Sequence, residues 1–323
     1  MRRLRSVDVC SGAGGLALGL EQAGFDPVLV LDHKPVACRT LRTNRPSWQV
    51  LETDLLDFDP VEHQETYDVD LLSAGLPRVR SAATRGRPGS TTEQRLLEAT
   101  ILLVHAVQPR ALLVENVPDL VDGPEFAEVR DFARKELIHL GYEFHWFVVN
   151  AADFGVPQDR KQGVLVAVKD GGVETFRPPR PTVDGPVTVG EALHTSMSAR
   201  GWTGADAWSA LADSVAPTLV GGSDNRGGAD LGPTGTKKAW ARMGINGGAL
   251  SDEVPDPDGV QESDTSDSTL KKITVEQAAV LQGFPDDWRF AGGKTARYRQ
   301  IGHASPPPVG RALGTAVARA LGL

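Results

Sequence analysis

Residues 6–15 run Ser6-Val7-Asp8-Val9-Cys10-Ser11-Gly12-Ala13-Gly14-Gly15, and Leu16 to Gln22 follow with helical composition. An apolar strand that passes straight into a glycine-rich turn and then a helix is the opening of a parallel α/β unit. Glycine there lets the backbone turn tightly and approach a ligand closely. The strand candidates are Ser6–Cys10, Pro27–Asp32, Val69–Leu72, Ala111–Glu115, Glu143–Asn150 and Gly163–Val168. Helical stretches such as Leu16–Gln22 and Glu93–Val107 lie between them. This alternation predicts an α/β fold with a mostly parallel, Rossmann-like sheet covered on both faces. Ligands in such folds sit outside the carboxyl ends of the strands.

Two acids follow the turn at the expected places. Asp32 ends the second strand, where an acid accepts hydrogen bonds from a ribose diol, and Asp54 follows the third apolar run, within reach of an adenine amine. The plain alternative is a tight turn plus two solvated, helix-capping acids. A nicotinamide dinucleotide fits poorly, because Gly12, Gly14 and Ala17 stand where its G-x-G-x-x-G fingerprint needs three glycines.

Composition narrows the class. The 323 residues are 40% hydrophobic and 24% charged, the balance of a globular protein with room for a large and a smaller domain. No run approaches the roughly 18 apolar residues of a membrane span, and the basic start Met1-Arg2-Arg3 lacks a signal peptide's apolar core. A cytoplasmic protein without a membrane partner is expected. The two cysteines, Cys10 and Cys38, suit buried side chains better than a disulfide or a metal site. The net charge of -8 argues against a general nucleic-acid coat protein. Seven of the acids fall in one stretch: Asp252, Glu253, Asp256, Asp258, Glu262, Asp264 and Asp267. Local basic surfaces elsewhere therefore stay compatible with a DNA enzyme.

The Pro-rich piece Arg177-Pro178-Pro179-Arg180-Pro181-Thr182 marks a boundary. Nine glycines between Val220 and Leu250 predict long loops, and the acidic stretch from Ser251 to Ser268 is expected to be exposed and mobile. Order returns with a capped helix over Thr274–Gln282. The tail Pro308–Leu323 has apolar and small residues at helical spacing and should pack on something larger. The expected division is a domain over 1–182, completed by a C-terminal helix in 304–323, and a smaller one over 183–303.

Val9-Cys10-Ser11-Gly12-Ala13-Gly14-Gly15 resembles the opening motif of DNA cytosine-C5 methyltransferases. Further pieces match in order: Glu115-Asn116-Val117, Gly155-Val156-Pro157-Gln158-Asp159-Arg160, Leu281-Gln282-Gly283-Phe284-Pro285 and Arg299-Gln300-Ile301-Gly302. The resemblance spans nearly the whole chain. It implies an S-adenosylmethionine-dependent methyltransferase fold with a smaller target-recognition domain, S-adenosyl-L-methionine as cofactor, and double-stranded DNA as partner. It places Ser11, Gly12, Ala13, Gly14 and Gly15 at the methionine portion, Asp32 at the ribose and Asp54 near the adenine. Pro77 and the segment His303-Ala304 complete the cofactor site. His303 replaces the family's usual asparagine, and its role as cofactor contact or pocket wall stays open. Residues 183–270 correspond to the target-recognition region, where Arg226, Lys237, Lys238 and Arg242 fit a surface that follows a DNA groove.

The chemistry implied by the resemblance needs a cysteine thiolate that adds to C6 of a flipped-out cytosine, and a glutamic acid that holds the base through N3. Glu115 matches that acid. The thiolate belongs in a Gly-x-Pro-Cys loop, but here Gly75-Leu76-Pro77 is followed by Arg78, whose permanently charged guanidinium is no nucleophile. The aromatic-serine pair expected shortly after is replaced by Ser81-Ala82. Arg160 matches the first arginine of the family's Gln-x-Arg-x-Arg pattern, and Gln162 stands at the second. Neither Cys10 nor Cys38 comes from the catalytic loop. The basic loop Arg78, Arg80, Arg85 and Arg87 suits phosphate contact or a solvent-facing drift. The expectation is a catalytically impaired member, a pseudoenzyme, that keeps cofactor and DNA binding. The alternative is a non-catalytic DNA-binding or regulatory subunit beside an active methyltransferase or restriction enzyme in a restriction-modification system. A loop altered by compensating frameshifts or sequence error is a third reading.

Overall fold

A computed structural model describes residues 3–77, 90–169, 175–222, 228–261 and 269–322, with side chains in 90–107 described from position 94 onward. Two compact units emerge from its contacts. The first comprises Met1–Val149, Lys161–Arg180 and Val309–Leu323, and the second Asn150–Arg160 and Pro181–Pro308. Compared with the division drawn from sequence, 150–160, 181–182 and 304–308 fall in the second unit.

The first unit is built from β1 (Leu4–Val9), α1 (Gly15–Gln22), β2 (Phe25–Asp32), α2 (Pro35–Asn44), β3 (Val50–Glu52), β4 (Leu71–Gly75), α3 (Ser90–Val107), β5 (Ala111–Asn116), α4 (Asp119–Asp122), α5 (Ala127–His139) and β6 (Tyr142–Asn150). After a short β7 (Gln158–Asp159), β8 (Lys161–Lys169) returns to the sheet. The strand order is β3-β2-β1-β4-β5-β8-β6, and β8 runs antiparallel to β5. All six residues of β5 are buried, as a strand covered on both faces requires. Val7, Val9, Leu29, Leu31, Leu72, Ala74, Leu112, Val114, Leu165 and Ala167 share one apolar core. The β1–β4 register sets Asp8 opposite Ser73, and the β4–β5 register sets Gly75 opposite Glu115.

The tail is the helix expected, α11 (Pro307–Ala320), with β9 (Ala216–Pro217), α6 (Val189–Met197), α7 (Ala205–Leu211), α8 (Thr234–Arg242), α9 (Val275–Leu281) and α10 (Lys294–His303) preceding it in the chain. It meets α1 along a seam of small residues. A Cβ on Gly310 would lie 3.0 Å from the Leu16 carbonyl oxygen, and one on Gly314 would lie 2.8 Å from the Ala23 Cβ. Only a bare backbone fits there. Thr175 Oγ1 donates to Ala320 O, and Arg110 reaches both Asp70 and Leu321 O.

In the second unit, capping boxes start α6 (Thr188 with Glu191) and α9 (Thr274 with Gln277). Three expectations need correction. The strand expected at Val69–Leu72 is shifted to Leu71–Gly75, since Asp68 turns at φ +50° and β4 pairs with β1 through Ala74 and with β5 through Gly75. The loops expected over Val220–Leu250 contain α8, which fully buried Trp240 anchors. The acidic stretch is not free backbone over 251–261: Asp256 Oδ1 accepts from the amides of Asp258 and Val260. Gln261, buried, joins Glu253 O to Lys272. Glu262, Asp264 and Asp267 lie outside the described residues. No described helix is long and apolar enough to cross a membrane.

Candidate functional site

The turn after β1 holds three left-handed residues: Cys10 at φ +53°, Gly12 at +54° and Gly14 at +83°. A non-glycine residue in that region is strained, and such strain collects at ligand sites. Nothing lies within 4 Å of where a Gly12 Cβ would point, so the turn presents open backbone. The turn is tied to β2 by Ser11 N to Leu31 O at 3.0 Å and Gly12 N to Asp32 Oδ2 at 2.8 Å. Asp32 also accepts from Lys34 N through Oδ1 at 2.8 Å, which fixes its carboxylate while each oxygen keeps a second lone pair. Ala13 and Gly15 complete the turn and start α1. Asp54 accepts from Leu56 N at 3.0 Å and caps a short 3-10 turn, the plain role foreseen for it.

The electrostatics of this end of the sheet are one-sided. Burial pushes the Cys10 thiol far above its ordinary value, and the Asp32, Asp8 and Asp54 carboxylates raise it further. Three acids are therefore felt at Cys10 in this one turn. A dinucleotide's pyrophosphate would be repelled there. A ligand carrying sulfonium and ammonium charge, as S-adenosylmethionine does, fits the acids and the open turn, with Asp32 available to a ribose diol.

Glu115 stands at the carboxyl end of β5, 3% exposed, in the middle of the sheet between Gly75 and Val164. The chain leaving β4 is held against it: Leu76 N donates to Glu115 O at 3.1 Å, and Asn116 Nδ2 donates to Pro77 O at 3.1 Å. Fully buried Gln162 precedes Gly163, the partner of Asn116. Gly163 must be glycine, because a Cβ would lie 2.4 Å from the Val117 carbonyl oxygen. Arg78, Arg80, Ser81, Ala82, Arg85 and Arg87 lie outside the described residues.

Arg160 is a brace of the second unit. It is fully buried, and its two terminal nitrogens donate to Leu219 O and Ala304 O, each at 3.0 Å. Gln282 also donates to Ala304 O, while Gln158 Nε2 donates to Leu281 O at 3.0 Å and to Gln282 Oε1 at 2.8 Å, and Gln158 Oε1 accepts from Leu219 N at 2.8 Å. A side chain so engaged organises backbone. His303 is exposed and its Nε2 lies 3.2 Å from Gly222 O, so that nitrogen carries the hydrogen. Of the basic residues in the recognition region, Lys237 is paired with Asp230 at 3.0 Å, and Lys238 and Arg242 are exposed on α8. Arg226 lies outside the described residues.

The sequence reading passed over Asp8, Gln158 and Gln282. A lone acid between Val7 and Val9 in a core strand was the signal for Asp8. The two glutamines lay within quoted motifs, with nothing local to show that they meet.

Both thiols are poor nucleophiles. Cys38 is fully buried; burial and then Asp32 push it up to about 11, and its Sγ points to Asp32 O at 3.3 Å. Neither forms appreciable thiolate at neutral pH. Alkylation by iodoacetamide at pH 7.5 should be at least about 100-fold slower in the folded protein than in urea, followed by intact mass. Rapid modification of either native thiol would contradict this electrostatic picture.

The family model for C-5 cytosine-specific DNA methylase matches residues 4–319. The Type II methyltransferase M.NaeI of Lentzea aerocolonigenes is 41% identical over 100% of this chain and 76% of its own length. M.NgoMIV of Neisseria gonorrhoeae is 38% identical over 98% of this chain and 97% of its own. Among solved structures, the S. pombe Dnmt2 methyltransferase superposes with a TM-score of 0.66 at 17% identity, covering 100% of both chains.

Proposed function

Because the chain belongs to the C-5 cytosine-specific DNA methylase family, whose methyl donor is S-adenosylmethionine, we propose that it binds this cofactor and duplex DNA but does not methylate cytosine at an enzymatic rate. One observation carries the proposal. The chain has two cysteines, neither of them in the segment that follows Gly75, both thiols are held protonated, and in sequence Arg78 follows Pro77 where the family's pattern has its cysteine.

Cytosine C5 attacks a methyl group only after a nucleophile has added at C6 and made the ring enamine-like. Without that addition the remaining parts bind and orient. The Ser11–Gly15 turn and Asp32 suit the cofactor. Glu115, deep at the end of β5, suits hydrogen bonding at N3 of a base taken out of the stack. Gln162 offers a hydrogen bond and no charge beside them. Lys238 and Arg242 on α8 supply exposed cations for phosphates.

The test uses purified protein alone. Equilibrium dialysis should show S-adenosylmethionine binding that Gly12→Val removes, because valine disfavours the left-handed backbone and blocks the turn. Filter binding should retain duplex DNA, and mass spectrometry of digested DNA should find no new 5-methylcytosine. Formation of 5-methylcytosine that Glu115→Gln abolishes would overturn the proposal.

A further inference from the structure

Asp8 sits inside the sheet, and nothing in the proposed chemistry uses it. It is 1% exposed and lies on β1 between Val7 and Val9, both fully buried. A charge in such a place is costly unless it is compensated. Asp8 Oδ2 is buried without a hydrogen-bond partner among the described residues.

The other oxygen carries an unusual arrangement. Ser73 Oγ lies 2.5 Å from Asp8 Oδ1 and 3.3 Å from the Val7 carbonyl oxygen. One hydroxyl hydrogen cannot serve both acceptors. A protonated Asp8 donates its O–H to Ser73 Oγ while Ser73 donates to Val7 O; an ionised Asp8 draws the Ser73 hydroxyl into the stronger, charge-assisted bond.

Asp8 is three residues from Ser11, whose Oγ donates to Asp8 O at 2.8 Å. The charge of Asp8, like those of Asp32 and Asp54, is felt at Cys10 in the turn. We propose that Asp8 is the proton-exchanging carboxyl of the cofactor turn, holding its proton in the ligand-free protein and releasing it to solvent when a sulfonium ligand binds. This rests on the reading that the turn takes S-adenosylmethionine. A cation over the turn favours the carboxylate, and the proton leaves.

The surrounding groups agree. Burial raises Asp8 to about 7, the Ser73 and Ser11 hydroxyls pull it back, and Asp32 on β2 pushes it up. The side of β4 facing it offers only the Ser73 hydroxyl, and Cys10 on the turn stays neutral. Glu21, the one charged residue of α1, is paired with Arg45 at 2.8 Å. Arg311 and Arg319, the charged residues of α11, are exposed.

Calorimetry in buffers of different ionisation enthalpy counts the protons. S-adenosylhomocysteine is the matched control, since it lacks the methyl group and its positive charge. At pH 7 the protein should release a fraction of a proton per S-adenosylmethionine and less per S-adenosylhomocysteine. The affinity for S-adenosylmethionine should tighten about tenfold from pH 6 to pH 8, as linkage to a group titrating near 7 requires. Asp8→Asn should abolish the release; the ligand's own amine titrates identically in both proteins and cancels. Ser73→Ala removes a hydroxyl that pulls Asp8 down, so it should move the midpoint to higher pH, and it carries the test if Asp8→Asn does not fold. Equal release for the two ligands, or an unmoved midpoint in Ser73→Ala, overturns the proposal. No heat with either ligand sinks the cofactor reading itself.

Discussion

Arg78→Cys is expected to turn a protein that leaves DNA unmodified into one that forms a denaturant-resistant adduct with cytosine and transfers a methyl group. Position 78 follows Pro77, whose carbonyl is held by Asn116, and Leu76 is tied by its amide to Glu115. A thiol there joins the chain one residue beyond an anchored backbone, next in sequence to the loop that meets Glu115. Losing a covalent nucleophile costs on the order of 10^4 to 10^6 in rate, so regaining it should recover several orders of magnitude. Gln162 withholds a charge from the same region, and Arg78→Cys with Gln162→Arg should exceed either change alone. Residues that act as a unit respond non-additively. Labelled methyl incorporation and gel-shifted adducts measure the result. A double variant that still binds cofactor and DNA yet gives neither product would defeat the idea that the nucleophile is what the site lacks.

Arg160→Ala is expected to cost about 3–5 kcal/mol of stability, among the larger losses for one side chain. The guanidinium is fully buried and supplies donors to Leu219 O and Ala304 O. Truncation strands the Leu219 carbonyl, at roughly 1–3 kcal/mol, takes one of two donors from Ala304 O, which keeps Gln282, and opens a cavity. Arg160→Lys should recover only part of this, since a single ammonium cannot imitate a planar fork. Urea titration by tryptophan fluorescence reads the midpoint, with Trp240 and Trp288 both in the affected unit. A shift worth less than about 1 kcal/mol would show that the contacts matter little.

Legibility in the sequence followed how local the governing physics is. β2 and β5 could be drawn from their apolar runs, because a strand buried on both faces leaves little else to read. The capped start of α9 was visible in Thr274 and Gln277. The turn of residues 11–15 announced itself through its glycines. What escaped depends on residues distant in the chain. α8 contains Gly235 and two threonines, and Trp240 makes it a helix by being buried. Arg160 matched a catalytic pattern by its neighbours, yet its partners, Leu219 and Ala304, lie far away in sequence. Asp8 looked like one strand residue among several until Ser73 came to lie opposite it. Arg78 is legible in sequence alone, as a residue type whose chemistry is fixed wherever it sits.

The small-residue seam between α1 and α11 also bears on how the molecule comes into being. α1 is synthesised well before α11, and the groove over Leu16 and Ala23 is filled only when Gly310 and Gly314 arrive. Nascent chains therefore carry an apolar helix face that no earlier segment of this seam covers until α11 is made. Contacts of such long sequence separation fold slowly and leave intermediates prone to aggregate. The ligand turn at the head of α1 gains its support from a helix synthesised long after it, so the turn matures late in folding.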